Sequence, residues 1–154
     1  MKILITGANG LLGYKLVQLL SKQSDVQTIA TGRRMISNLP ANVPFHQLDI
    51  TDPKQTENLI SQLKPQVIIN TAAMTQVDQC ETERELCWKS NVTGVENLIN
   101  ACTKNQTHLV HVSTDFIFDG SRELLDETAE PNPVNYYGES KYAGEMRVIE
   151  SASS

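Results

Sequence analysis

The first thirteen residues constrain the fold more than any other segment. A short apolar run, Lys2 to Thr6, leads into Thr6-Gly7-Ala8-Asn9-Gly10-Leu11-Leu12-Gly13. A helical pattern follows, with Leu12, Leu16, Leu19 and Leu20 on one face. A strand that turns through glycines straight into a helix is the geometry of a phosphate cradle. Gly7 permits the tight turn, Gly10 lets the backbone approach a pyrophosphate, and Gly13 lets the helix pack close to the strand. The helix N-terminus then offers N–H groups and the positive end of its dipole to an anion. The spacing is G-x-x-G-x-x-G rather than the commoner G-x-G-x-x-G, and the plain alternative is a tight turn with no ligand.

The rest of the chain alternates strand and helix. Val26 to Thr31 reads as the second strand and Phe45 to Leu48 as the third. Asp52 suits a helix cap, Pro53 the first helical position, and Gln55 a capping box, with Leu59, Ile60 and Leu63 as the buried stripe. Pro65 ends that helix, and Val67 to Asn70 form a fourth strand without polar alternation, as in a parallel strand buried on both faces. A long helical region is predicted from about Thr82 to Lys104, with Leu86, Val92, Val95, Ile99 and Cys102 at helical spacing and Cys87 and Trp88 packed beside them. Leu109 to Ser113 is the fifth strand, and a last helix runs from about Tyr136 to Glu150. Repeated strand–helix–strand units imply a doubly wound, Rossmann-type parallel sheet with helices on both faces. One domain over residues 1–150 is expected, with a polar tail at 151–154. Ligands of such sheets sit beyond the carboxyl ends of the strands.

The motifs fall at those strand ends. After the second strand stands Gly32-Arg33-Arg34, with no acidic residue to hold a ribose 2′-hydroxyl. Two guanidinium groups suit the 2′-phosphate of NADPH, with NADH as the alternative and two solvated loop arginines as the plain reading. Asp49-Ile50, after the third strand, pairs a carboxylate with an apolar flank against which an adenine would lie. Tyr137 and Lys141 are four residues apart in the last helix and so share a face. A neighbouring ammonium stabilises a phenolate, which fits Tyr137 to act as general acid toward a carbonyl. Thr114 supplies a hydroxyl for the carbonyl oxygen as charge develops there.

Composition closes off other classes. The chain is 40% hydrophobic and 20% charged, with a formal charge of −5, and no Lys/Arg cluster marks a nucleic-acid or membrane surface. No apolar run approaches a membrane span, and the start lacks a signal-peptide pattern. Cys80, Cys87 and Cys102 are odd in number and not spaced as a pair, as expected of free thiols in a reducing cytoplasm. His46, His108 and His111 are scattered, with His108 and His111 flanking an apolar strand, so no metal site is read.

Taken together, Thr6 to Gly13, Asn70-Thr71-Ala72-Ala73, Asn91, Ser113-Thr114-Asp115 and Tyr137-x-x-x-Lys141 resemble the extended short-chain dehydrogenase/reductases. Val77-Asp78-Gln79-Cys80-Glu81, Ser113 to Gly120 and Pro133 to Glu145 are most similar to the dTDP-4-dehydrorhamnose reductase family. That resemblance implies NAD(P)H-dependent reduction of the C4 ketone of a dTDP-linked deoxysugar, in dTDP-rhamnose synthesis. It implies that Tyr137 gives the proton, that Lys141 tunes Tyr137 and holds the nicotinamide ribose, and that Thr114 orients the carbonyl. It places Ala72, Ala73 and Met74 along the cofactor cleft and gives Asn91 a structural role. Related dehydratases carry Thr-Asp-Glu where this chain has Thr114-Asp115-Phe116, so dehydration is disfavoured. Members are roughly double this length, so the substrate half is expected to be absent; a fragment of a longer protein is favoured over a naturally shortened member, because a sheet ending at this helix would leave an exposed edge. A sugar-nucleotide epimerase, or a non-catalytic NADP-binding regulatory subunit, remains open beside the reductase, as does a homodimer.

Overall fold

The computed structural model describes residues 1–35 and 37–152. Five short parallel strands, β1 (Lys2–Thr6), β2 (Gln27–Gly32), β3 (Phe45–Gln47), β4 (Val67–Asn70) and β5 (His108–His111), form one sheet of order β3-β2-β1-β4-β5. The register places Leu4 beside Ile29 and Ile68, and Ile68 beside Leu109. Strand residues alternate between two apolar clusters, because successive side chains point to opposite faces. Ile3 and Ile5 pack with Val17, Leu16 and Leu20 of α1 (Leu11–Leu20). Leu4, Ile29 and Ile68 pack with Ile60 of α2 (Pro53–Leu63) and with Leu98, Ala101 and Cys102 of α5 (Gly94–Asn105). The sheet is thus covered on both faces, as the strand–helix alternation predicts.

Along the chain these elements are separated by α3 (Val77–Thr82), α4 (Arg84–Trp88), a π-helical turn (Lys89–Thr93) and a 3-10 turn (Asp115–Ile117), and the last element is α6 (Tyr136–Ala152). The chain divides into two compact units, one of residues 1–73 and 97–112, the other of residues 74–96 and 113 onward. The first contains the sheet. The second is centred on buried Cys80, Cys87 and Tyr137, with Met74, Val77 and Tyr136 packed against them. Ser151 and Ala152 complete α6, so half of the expected tail is helical; Ser153 and Ser154 lie outside the described residues.

Several expectations shift. On α1 the buried face is Gly13 and Val17, whereas Leu12 and Leu19 are 48% and 58% exposed. A leucine count located the helix but misplaced its axis, because glycine at the contact carries no hydropathy signal. The capping of α2 holds in part. Asp52 accepts from the Gln55 N–H at 3.0 Å, but the Gln55 side chain accepts from the Asp49 N–H at 2.7 Å instead of closing on Asp52. The long helix predicted from Thr82 begins earlier and is broken. Glu83 leaves the helical region (φ −117°, ψ 54°), and the π-helical turn inserts a residue into the repeat. The phase slips, so Leu86 and Trp88 are 42% and 40% exposed while Cys87 and Leu98 are buried. Trp88 lies tilted against Tyr136, with ring centroids 6.5 Å apart, rather than in the core. β5 ends at His111, so both His108 and His111 lie within the strand and Ser113 lies beyond it.

Candidate functional site

The glycine turn of the first unit is held by backbone contacts that only glycine permits. Gly7 has φ +68°, and a Cβ there would lie 2.6 Å from the Ala72 amide nitrogen. A Cβ on Gly13 would lie 2.5 Å from the Gly7 carbonyl oxygen. The turn is therefore interlocked with the end of β4 and with the first turn of α1. A Cβ on Gly10 would meet only the Gly7 oxygen, at 3.3 Å. Gly10 is the N-cap of α1 and has no side chain to cap it, which leaves the first-turn amides to a ligand. Leu11 is 81% exposed at that same end.

The Arg33–Arg34 segment belongs to the same cradle. The Asn9 side-chain amide donates to the Arg34 carbonyl at 2.8 Å, and the Gln47 amide donates to the Arg33 carbonyl at 3.0 Å. Asn9 reaches across Gly32, where a Cβ would lie 1.9 Å from its Oδ1. The backbone is clamped while both arginine side chains are exposed and form no ion pair among the described residues. Asp49 and Ile50 are placed less favourably for an adenine. Asp49 Oδ1 already accepts from the Thr51 N–H (3.0 Å) and hydroxyl (2.8 Å), and Ile50 is packed into the sheet core at 6% exposure. Beyond β4, Ala72 packs on the sheet core and its N–H donates to Asn70 Oδ1 at 3.2 Å, and Ala73 is half-buried. Buried Asn70 also accepts from the Thr6 hydroxyl at 2.5 Å and contacts His111 Nδ1 at 2.9 Å, so it ties the ends of β1, β4 and β5.

In the second unit the residues expected to transfer the proton, Tyr137, Lys141 and Thr114, lie on α6 and on the loop that packs against it. Tyr137 is 8% exposed and meets Phe116 edge-to-face at 5.5 Å. Gly138 makes that contact possible, since a Cβ there would lie 2.3 Å from the Phe116 carbonyl oxygen. Thr114 lies two residues before Phe116. Its hydroxyl accepts from the Phe116 N–H and donates to Asp115, both at 3.3 Å, and so caps the 3-10 turn. Lys141, one helical turn beyond Tyr137, is 3% exposed. Burial pushes its ammonium down to about 8, while the Glu145 carboxylate pulls the other way. Glu145, a further turn along, accepts a hydrogen bond from the Ser113 hydroxyl.

Asn91 braces this unit. Its Oδ1 accepts from the Met74 N–H at 2.8 Å, and its Nδ2 donates to the Met74 carbonyl at 3.0 Å and to Ser140 Oγ at 2.9 Å. Met74 therefore packs beside Tyr137 with its own backbone fully engaged. Ser140 and Glu145 were not singled out by sequence. Only their spacing of three and eight residues from Tyr137 marks the same helix side. Asn91→Leu is expected to lower the free energy of unfolding by about 1–3 kcal/mol, because it removes the amide partner of both half-buried Met74 backbone groups. Urea denaturation measures it. A loss below about 1 kcal/mol would show that water replaces the amide. The three cysteines are buried, and burial pushes the Cys102 thiol up to about 12, which suits packing rather than reactivity.

A model of the RmlD substrate binding domain matches residues 1–154. The chain belongs to the RmlD substrate binding domain family. A curated member, dTDP-4-dehydrorhamnose reductase of Aggregatibacter actinomycetemcomitans, is 38% identical over 96% of this chain and 47% of its own length. Methionine adenosyltransferase 2 subunit beta of Mus musculus is 33% identical over 97% of this chain and 43% of its own. The crystal structure of dTDP-4-dehydrorhamnose reductase from Bacillus anthracis, in complex with NADP, superposes with a TM-score of 0.77 at 36% identity, covering 97% of this chain and 49% of that one. The chain thus spans about half the length of the RmlD-family relatives it matches. The expected resemblance to the extended short-chain dehydrogenase/reductases holds.

Proposed function

We propose that this chain carries the cofactor cradle and the proton-transfer set of an NADPH-dependent reductase acting on the C4 ketone of a dTDP-linked deoxysugar. The observation that carries the reading is the burial of Tyr137 and Lys141 one turn apart on α6. It is supported by a relative of the same family that is a dTDP-4-dehydrorhamnose reductase in complex with NADP. The residues present fit such a cofactor. The interlocked glycines leave α1 uncapped for a pyrophosphate, and the clamped Arg33–Arg34 segment offers two guanidiniums to a 2′-phosphate. When bound, NADPH supplies the hydride.

The rest is the work of the chain's own side chains. Tyr137 donates its phenolic proton to the carbonyl oxygen as negative charge develops there. Lys141, held charged at neutral pH, favours the phenolate left behind. The Thr114 hydroxyl turns from Asp115 toward the carbonyl oxygen and fixes its direction. Phe116, packed edge-to-face on Tyr137, keeps that ring in one rotamer.

The test is NADPH oxidation with dTDP-4-dehydrorhamnose by the full-length protein. Turnover above that of a Tyr137→Phe control supports the reading, and none abolishes it. Replacing both Arg33 and Arg34 with alanine is expected to weaken NADPH binding about 10–100-fold while changing NADH binding little, since two charge-assisted contacts are lost. Fluorescence titration with each nucleotide reads the ratio, and equal losses would mean that the arginines do not select the cofactor. The likeness to methionine adenosyltransferase 2 subunit beta favours a second reading, a nucleotide-binding subunit without turnover. Nucleotide binding without turnover, together with a stable synthetase partner on pull-down, would select it.

A further inference from the structure

Three residues stand at successive turns of α6: Tyr137, Lys141 and Glu145. The proposed function uses the first two. The third is not a solvated helix charge. Its carboxylate is half-buried and accepts from the hydroxyl of Ser113, so its position is fixed from off the helix. Its neighbour one turn back is the lysine of the pair, at 3% exposure. An ammonium in such a place loses its hydration, and the neutral amine becomes the favoured form unless a negative charge stands close.

We propose that Glu145 is a positioning residue of the proton-transfer set: anchored by the Ser113 hydroxyl, it keeps the Lys141 ammonium charged so that Lys141 can act on Tyr137. The inference rests on the reductase reading for its purpose but not for its test.

The electrostatics agree. Burial drives Lys141 toward the neutral form, and the charge that opposes it is Glu145. The other ionisable groups on elements packed against α6 within this unit include Glu81 on α3, Arg84 and Cys87 on α4, Lys89 in the π-helical turn and Asp115 in the 3-10 turn. Glu81 is engaged with Arg84 at 2.7 Å and with the Tyr136 N–H at 2.6 Å, and Cys87 contacts Ser140 Oγ at 3.2 Å. Lys89 bears the same sign as Lys141 and could not hold it charged. Asp115 accepts from the Thr114 hydroxyl at 3.3 Å. Glu145→Gln isolates the effect, because the amide oxygen can still accept from Ser113 while the charge is gone.

The experiment is an NMR titration of the full chain with 13C-labelled lysine, with the Lys141 signal assigned through Lys141→Arg. In Glu145→Gln, Lys141 is expected to titrate lower than in the parent by about half to one pH unit. Glu145→Asp, which restores the charge, is expected to recover most of the shift. A Lys141 titration unchanged to within about 0.2 unit in folded Glu145→Gln overturns the proposal and leaves Glu145 a brace for the Ser113 loop. If Glu145→Gln does not fold, Ser113→Ala takes its place. The carboxylate then loses its anchor, a smaller downward shift is expected, and no shift overturns the proposal. The titration needs neither substrate nor turnover, so a chain without reductase activity would still show it. A chain with activity but no shift would lose only the role of Glu145.

Discussion

Tyr137→Phe should lower ketone reduction by a factor of about 10²–10⁴ while nucleotide binding and thermal stability stay near those of the parent. The substitution removes one hydroxyl and leaves the ring. The ring is what packs, edge-to-face on Phe116 at 5.5 Å and beside Cys80 and Cys87. Its loss of function would therefore report chemistry rather than packing. The decisive comparison is the single-turnover rate of NADPH oxidation for parent and variant at saturating nucleotide. A drop confined to that rate, with unchanged nucleotide affinity, identifies the phenol as proton donor. Retained turnover would mean that the proton comes from solvent or another group, and the role given to Lys141 in assisting Tyr137 would fall with it.

Gly7→Ala is expected to weaken NADPH binding by at least about 100-fold, roughly 3 kcal/mol. Two costs combine. A side chain at φ +68° carries backbone strain of about 1–2 kcal/mol. Its Cβ would also stand 2.6–2.8 Å from Ala72 N, Ala72 Cα and the Thr71 carbonyl carbon, all backbone atoms that cannot swing aside. Either β4 or the turn must move, and the cradle opens. Gly10→Ala is the control. Its Cβ meets a single oxygen at 3.3 Å, so it should keep the parental melting temperature within a few degrees and lose affinity only through approach to the ligand. If Gly7→Ala bound NADPH normally, the glycine turn would not be the nucleotide site.

What the sequence discloses and what it hides divide along physical lines. β1 and β4 are legible to the residue, because unbroken apolar runs bounded by a glycine and a proline have few other readings. The glycine turn and the Tyr137–Lys141 pair are legible because both depend on local spacing. Trp88 and Leu86 are misplaced because a π-helical turn changes the repeat without leaving a mark in composition. The bond between Ser113 and Glu145 joins residues 32 positions apart, and no local pattern announces it. Asn91 shows the same limit. Its identity invites a structural reading, but its partners Met74 and Ser140 come from 17 and 49 residues away.

The sheet order carries a further consequence, one for how the chain is made. β1 leaves the ribosome before the other four strands and occupies the middle of the sheet, between β2 and β4. Its partnership with β2 forms early, but Ile3 must wait for Val67 before its other side is paired. At ribosomal speed that interval is on the order of several seconds. Throughout it, an apolar strand buried on both faces in the finished sheet has one hydrogen-bonding edge bare, which invites pairing with a neighbouring nascent chain. The strand that leads into the glycine turn thus waits longest of the five for its second partner, and slowed translation between β2 and β4 should cost yield more than slowed translation after β4.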